Sequence, residues 1–293
     1  MAFVERMIDV LLAYGTGQGG QGAADKAVAL SGYRVSAQIS NSGGASLSQA
    51  QIRIFGMPLS LMNQFSTVGL LPTFFRKNSV TVLAGDVGSV PAQIFQGTVI
   101  AAWADFLGAP DVAFNITCLA GTTEALLPIA PSSYPGTADA AVILANLAGQ
   151  MGVTFENSGV SALLSTPYYP GSAREQAKAV VAAARCEWNG IDNGVLAIWP
   201  KNGSRNGLAP VISAATGMVG YPTYTATGLV LTTLFNPTIR FGAQVQVQSK
   251  LTPANGFWRV VSLDHDLEAL VPDGRWFTQM QVGALGSVSI PNK

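Results

Sequence analysis

Apolar and polar residues alternate with a period of two along much of this chain, and that pattern predicts strands. In AQIRIF (50–55) Ile52 and Ile54 alternate with Gln51 and Arg53. In AQVQVQS (243–249) Val245 and Val247 alternate with Gln244, Gln246 and Gln248. Further strand candidates are SVTVLAG (79–85), AQIFQGTVIAAW (92–103), DVAFNITCLAG (111–121), GLVLTTLF (228–235), GFWRVVSLDHDL (256–267) and RWFTQMQV (275–282), and YRVSAQIS (33–40) is strand-like. Most read as half-buried strands of antiparallel sheets or barrels. The 32 Gly and 16 Pro residues punctuate the chain often, which favours many short strands.

The middle has a different period. TADAAVILANLAGQMG (137–152) carries Val142, Ile143, Leu147 and Met151 at helical spacing, with Asp139 near the start where the helix dipole favours an acid. Ser172-Ala173-Arg174-Glu175 fits a capping box, and the helix it opens is expected to stop near Asn189-Gly190. Asn193-Gly194 between apolar residues is a strong hairpin signal. The pattern therefore divides into a β-rich segment 1–121, a small α+β segment 122–207 and a second β-rich segment 208–293.

One span fits neither period. GTGQGGQGAADKAVALSG (15–32) holds five glycines within eight residues, so a flexible loop is expected, disordered near residues 15–23 in the isolated protein and ordered against a neighbour. Gly15-Thr16-Gly17 superficially suggests a phosphate cradle. The Walker pattern requires Lys-Ser/Thr directly after its last glycine, which is absent, and the dinucleotide pattern requires a parallel βαβ context that β-rich surroundings do not offer.

Charge narrows the function classes. Lys+Arg and Asp+Glu both total 16, and only 11% of residues are charged, against roughly 25% in an ordinary soluble domain. No basic run exists to grip phosphates, so sequence-specific nucleic-acid binding is not expected. No apolar run approaches the roughly 20 residues of a spanning helix, so no stable membrane insertion is expected. MAFVERMIDVLLAY is interrupted by Glu5, Arg6 and Asp9 and does not read as a signal peptide. Low charge beside 48% hydrophobic residues points to surface buried against other subunits.

The only histidine stands in Asp264-His265-Asp266. In an extended strand His265 faces away from both aspartates, which share a face about 7 Å apart, too far to chelate one ion alone. No GxSxG or comparable nucleophile signature accompanies it, and one His with two cysteines in unrelated contexts, Cys118 and Cys186, makes a poor zinc set. The stretch reads as a strand end with a wet polar face, and the cysteines as two buried free thiols in a reducing compartment. A glycosidase-like carboxylate pair is not singled out, and Trp103, Trp188, Trp199, Trp258 and Trp276 are too scattered to define a sugar platform. No catalytic, metal-ligating or cofactor-binding residue is assigned, no cofactor is expected, and the chain reads as a non-enzyme.

Three stretches carry a resemblance. GDVGSVPAQIFQGTVIAAWADFLGAPDVAFNITCLAG resembles the first β-barrel of the central baseplate hub protein of contractile-tailed bacteriophages. PYYPGSAREQAKAVVAAARCEWNGIDNGVLAIWPKNGSRNG resembles the small α+β domain that follows it. PTYTATGLVLTTLFNPTIRFGAQVQVQSKL, GFWRVVSLDHDLEAL and RWFTQMQV resemble the closing β portion. Hubs of this family are similar to the base of the type VI secretion spike and to R-type pyocin hubs.

The resemblance implies a mainly β protein in which two tube-like antiparallel β-barrel units flank a small α+β domain. It implies a homotrimer that adapts a hexameric tail tube to a trimeric central spike, with the tube protein, the spike protein, other baseplate proteins and the tape measure protein as partners. The expected location is the virion tail baseplate, assembled in the host bacterial cytoplasm and serving DNA ejection. A tail-tip cell-wall hydrolase and a hexameric tail-tube protein are the competing readings. Open edges such as AQVQVQS carry Gln rather than Lys or Glu, so charge is not the device that protects them.

Overall fold

The computed structural model describes residues 5–14, 26–44, 46–67, 78–126 and 128–285. It is mainly β, with a large antiparallel sheet and a few helices. In chain order the first elements are β1 (Arg6–Tyr14), β2 (Lys26–Leu30), β3 (Arg34–Asn41), β4 (Gln49–Phe55), α1 (Leu59–Phe65), β5 (Ser79–Asp86), β6 (Ala92–Asp105) and β7 (Ala113–Leu119). Next come α2 (Thr122–Leu126), β8 (Ser132–Ser133), β9 (Thr137–Asp139), α3 (Ala140–Met151), β10 (Thr154–Asn157), β11 (Leu163–Ser165), β12 (Tyr168–Tyr169), α4 (Ala173–Ala184), β13 (Cys186–Trp188) and β14 (Val195–Pro200). The last are β15 (Val211–Ile212), β16 (Thr223–Thr225), β17 (Gly228–Leu234), β18 (Gln244–Val247), β19 (Gly256–Ala269) and β20 (Trp276–Ala284). The chain divides into two compact units, one of Met1–Ser40, Ser48–Ala120 and His265–Phe277, the other of Asn41–Leu47, Gly121–Asp264 and Thr278–Lys293.

In the first unit the strands follow the order β19-β3-β4-β7-β6-β5-β1-β2. Alternation places apolar residues in cross-strand rows on one face. Ala37, Ile52 and Ile116 are register partners across β3, β4 and β7, and Val10, Val82 and Phe95 across β1, β5 and β6. All six are buried, so the period-two pattern of AQIRIF and SVTVLAG becomes the wall of one core. Strand β6 is longer than either neighbour: Ala92 to Thr98 pair with β5, and Thr98 to Asp105 with β7. Bulges at Val82/Leu83 and Val99/Ala101 accompany this stagger, and such offsets curve a sheet. Arg6 on β1 reaches the other end of the strand order, donating from Nη1 to the Gly274 carbonyl at 3.0 Å and lying 5.4 Å from the Trp276 ring centroid.

Part of the Gly-rich span departs from expectation. Lys26–Leu30 is a strand, paired with β1 from Val10↔Leu30 to Tyr14↔Lys26, because Leu30 is buried and the pairing satisfies its backbone. Residues 15–25, where the loop was expected, lie outside the described residues. The apolar N-terminal run forms β1, and the short helix α1, which no periodicity announced, starts after Pro58.

In the second unit α3 and α4 pack on the three-stranded sheet β10-β14-β13, with Ile143, Leu144, Leu147, Val180, Leu196 and Ile198 at the centre of the core. The helix expected over 137–152 starts later. Thr137–Asp139 pairs with β11, and Asp139 is the cap, its Oδ1 accepting from Ala141 N at 2.8 Å. At 100° per residue the stripe through Ile143 and Leu147 excludes Val142, which is exposed. The capping box of α4 forms as expected, with Ser172 N donating to Glu175 Oε2 at 2.9 Å and Glu175 N to Ser172 Oγ at 3.4 Å. That helix stops at Arg185, in the left-handed region at φ 52°, rather than near Asn189-Gly190. It stops there because Cys186–Trp188 pairs with Ile198–Pro200. Asn193 and Gly194, at φ 53° and 73°, make the two-residue turn before β14.

The rest of the second unit is β. Its order is β16-β17-β20-β19, with β18 between β19 and the short parallel β15. Two ion pairs in this unit each set a buried arginine against a half-buried glutamate. Arg205 donates to Glu156 from Nε at 3.1 Å and from Nη2 at 2.6 Å. Arg259 Nη1 lies 2.8 Å from Glu187, which also accepts from Trp199 Nε1 at 3.0 Å. The hydrogen bonds from Arg205 hold the Glu156 carboxyl below its ordinary range, against the opposing effect of burial. Gly242, at φ 77°, passes so close that a Cβ there would meet Trp199 at 2.6 Å.

Removing one partner of a buried pair strands the other charge. Arg205 has a side chain only 4% exposed, so Glu156→Ala is expected to cost about 3–5 kcal/mol in urea unfolding. Glu156→Leu combined with Arg205→Leu should cost much less. A single-variant loss no larger than the double-variant loss would contradict this account of the pair.

Candidate functional site

The candidate chemistry of Asp264-His265-Asp266 comes apart in the structure. The stretch is not a strand end but lies within the fourteen-residue β19. His265 is buried on the apolar side with Leu263 and Leu267, while both aspartates are half-buried on the other side. Asp264 accepts from Ser262 Oγ at 3.3 Å. Asp266 is engaged by Arg275, with Nη1 3.0 Å from Oδ2, and Arg275 also holds Glu268 at 2.9 Å. Hydrogen bonds from Arg275 to Glu268 lower that carboxyl's pKa. Asp266 thus serves an ion-pair cluster at the β19–β20 turn, while Asp264 is bonded to Ser262 on its own strand.

The other chemical candidates are likewise absorbed into structure. Cys118 is buried and Cys186 half-buried, both unbonded to any sulfur. Burial pushes the Cys186 thiol up to about 11 and Cys118 higher still, so neither is a nucleophile near neutral pH. Among the described residues no three His, Cys, Asp or Glu side chains cluster as metal ligands would. A cavity of about 10 Å³ between Leu12, Phe65, Asn78 and Ile116 has room for about one water. Trp188, Trp199 and Trp276 are buried and Trp258 half-buried, leaving Trp103 exposed.

Among the described residues, large apolar side chains and backbone edges are also exposed. Leu107 (98%), Val90 (93%) and Leu208 (96%) stand at loop tips, with Phe106 beside Leu107. In the second unit Val219, Tyr221, Tyr224 and Leu234 are exposed around β16 and the end of β17. Among the described residues the strand orders end at β2 in the first unit and at β16 and the short β15 in the second. The edge expected at AQVQVQS is not open: β18 pairs with β19 on one side and β15 on the other. Sequence alternation could not reveal β15, which contributes only Val211 and Ile212. The edges at β2 and β16 carry a weak signal, a short KAVAL behind a Gly-rich span and a three-residue TYT. The signal overlooked is charge: residues 206–239 contain no Asp, Glu, Lys or Arg.

The sequence model of a family described as baseplate hub gp41 matches residues 22–278. Among curated protein sequences none matches. Among solved structures the fold is similar to the tail protein from Neisseria meningitidis MC58, with a TM-score of 0.63 at 8% identity, covering 96% of this chain and 97% of that one. It is similar to the 43 kDa tail protein of prophage MuSo2 from Shewanella oneidensis, with a TM-score of 0.54 at 9% identity and coverage of 94% and 98%. It is also similar to the E. coli c3393 protein, a component of the type VI secretion system with structural similarity to the T4 tail proteins gp27 and gp5. There the TM-score is 0.52 at 8% identity, with 87% and 76% covered. At such identities the likeness is one of fold.

Burial pushes His265 from the ordinary 6.5 down to about 4. The unfolded chain therefore binds a proton between those values that the folded chain refuses. Above about pH 6.5 this residue carries no penalty; as pH falls to about 4 the penalty grows, and below that it is constant. The full effect is roughly 3 kcal/mol. His265→Gln should flatten this part of the stability-against-pH curve, and elemental analysis should find no stoichiometric metal on the wild type. An unchanged pH profile, or one zinc per chain, would contradict the reading of His265 as a buried neutral side chain.

Proposed function

This chain belongs to the baseplate hub gp41 family, and from that premise we propose that it is a trimeric hub adapting a hexameric tail tube to a threefold central spike. As a member of that family it is a phage tail structural protein and a component of the virion. The finer reading assigns residues 1–121 and 208–293 to two tube-like β-barrel units and 122–207 to the α+β domain set between them. Three chains of two barrels each present six positions to the tube and a threefold face to the spike.

The observation that carries this reading is a run of antiparallel strands with buried apolar residues in each of the two compact units, the second of which also holds the α+β part. Antiparallel edges must be covered, charged or closed, and closed symmetry makes the covered assembly finite. The stagger and bulges of β6, which favour a curved sheet, and the bond from Arg6 on β1 to Gly274 in the turn after β19 support a barrel-like first unit. Exposed Leu107, Val90 and Leu208 and the scarcity of charge support burial against other chains. The tube protein, the spike protein, other baseplate proteins and the tape measure protein are the partners of this reading, and assembly takes place in the host bacterial cytoplasm. The ring encloses the passage for DNA ejection.

The non-enzymatic reading is supported by six carboxylates held in structural roles, as ion pairs at Glu156, Glu187, Asp266 and Glu268 and as caps at Asp139 and Glu175. Averaged electron-microscopy density of the assembled tail tests the architecture. Three chains with two lobes each are expected in one ring. Six chains in a ring, or one lobe per chain, would identify a tail-tube protein instead, and lytic activity on purified peptidoglycan would favour the hydrolase.

A further inference from the structure

The second unit holds a strained stretch of backbone just before β14. Gly190 and Ile191 both lie in the left-handed region, at φ 75° and 68°. Glycine adopts that conformation freely, but a β-branched residue does so at a cost, because its Cβ crowds the following carbonyl. Ile191 is buried, and its side chain belongs to the core shared by α3, α4 and β14. Strain of this kind persists only where the surrounding contacts over-determine it.

Contacts of that sort come from Asn41–Gly44, at the end of β3, which pack within the second unit. Asn41 is 5% exposed and uses both ends of its amide. Its Oδ1 accepts from Gly43 N at 2.9 Å, and its Nδ2 donates to Asp192 Oδ2 at 2.6 Å. Gly43, at φ 60°, approaches Phe241 so closely that a Cβ there would fall on the ring. That ring is itself set beside Trp199, with centroids 5.9 Å apart. A Cβ on Gly190 would meet the Gly44 carbonyl at 2.5 Å. The segment therefore bears on the strained turn through a side-chain bond and a close backbone approach.

The same segment can leave without unpicking the strands that carry it. The ladder between β3 and β4 runs from Arg34↔Phe55 to Ser40↔Gln49 and ends before the segment begins. Asn41, Ser42, Gly43 and Gly44 carry no charge and no apolar side chain, so lifting them uncovers little apolar area of their own. We propose that Asn41–Gly44 is a latch on the second unit, with the Asp192 carboxylate as its catch. Docked, it holds Gly190–Asp192 in the strained form; released, that turn relaxes while the rest of the unit stays folded. Local opening of this kind is a cooperative step distinct from global unfolding.

Residue-resolved hydrogen exchange on the full-length protein at neutral pH tests this. Asn41→Asp keeps the acceptor for Gly43 N but sets a second carboxylate against Asp192. It should speed exchange of the Gly43 and Ile191 amides by about tenfold or more, with Leu147 on α3 and Val180 on α4 as protected as in the wild type. Adding Asp192→Asn returns a donor from the other side of the contact and should restore the wild-type rates. Unchanged exchange at Ile191 in the single variant would show that core burial alone holds the turn, and would overturn the proposal. So would loss of protection at Leu147 and Val180 together with Ile191, because the segment would then be part of the global fold. Fast exchange that persists in the double variant would overturn the role of Asp192 as the catch.

Discussion

A strand inside an antiparallel sheet satisfies its backbone groups on both sides, whereas an outermost strand satisfies only half of them. Most of this chain is committed to such strands, so the fate of the unpaired halves governs what the molecule can be. In the first unit eight strands follow one another from β19 to β2, and in the second β16 stands at the end of its own order. Elsewhere the fold closes gaps with small pieces, such as the two residues of β15 laid against β18. At β2, at β16 and on the outer side of β15 no described strand does so.

The distribution of charge follows from the same constraint. With only 16 basic and 16 acidic residues, the chain spends several inside itself. Arg205 and Arg259, each with a side chain 4% exposed, are held by Glu156 and Glu187, and Arg275 gathers Asp266 and Glu268. Buried pairs of this kind contribute little net stability, because desolvation offsets most of the attraction, but they penalise any other arrangement of the strands that carry them. Charges used this way are not available to keep an apolar surface in solution. Low charge, buried arginines and open edges therefore point the same way, toward a chain that completes its surface with other chains, as suits a family of baseplate hubs.

Much of the fold was legible in the sequence where a local rule decides it. Period-two alternation located β4, β5, β7, β17 and β20 because each faces a core on one side. Ser172-Ala173-Arg174-Glu175 announced a capping box and Asn193-Gly194 a tight turn, since both depend on residues within four positions. Long-range pairing was not legible. Nothing near Arg185 says that Cys186–Trp188 will find β14, and nothing in KAVAL says that β1 will accept it. The bonds from Arg205 to Glu156 span 49 positions, beyond the reach of any local pattern. His265 was read as lying at a wet strand end because two aspartates flank it, yet strand geometry alone sends its side chain to the opposite, buried face.

The central proposal is that edges and apolar surfaces of this chain are covered by two neighbouring copies. Native mass spectrometry of the purified full-length protein, sprayed from low-salt buffer across a range of concentrations, tests it most directly. The account predicts a dominant species of three chain masses that persists on dilution. A dominant single chain at all concentrations, or a species of six, would contradict it.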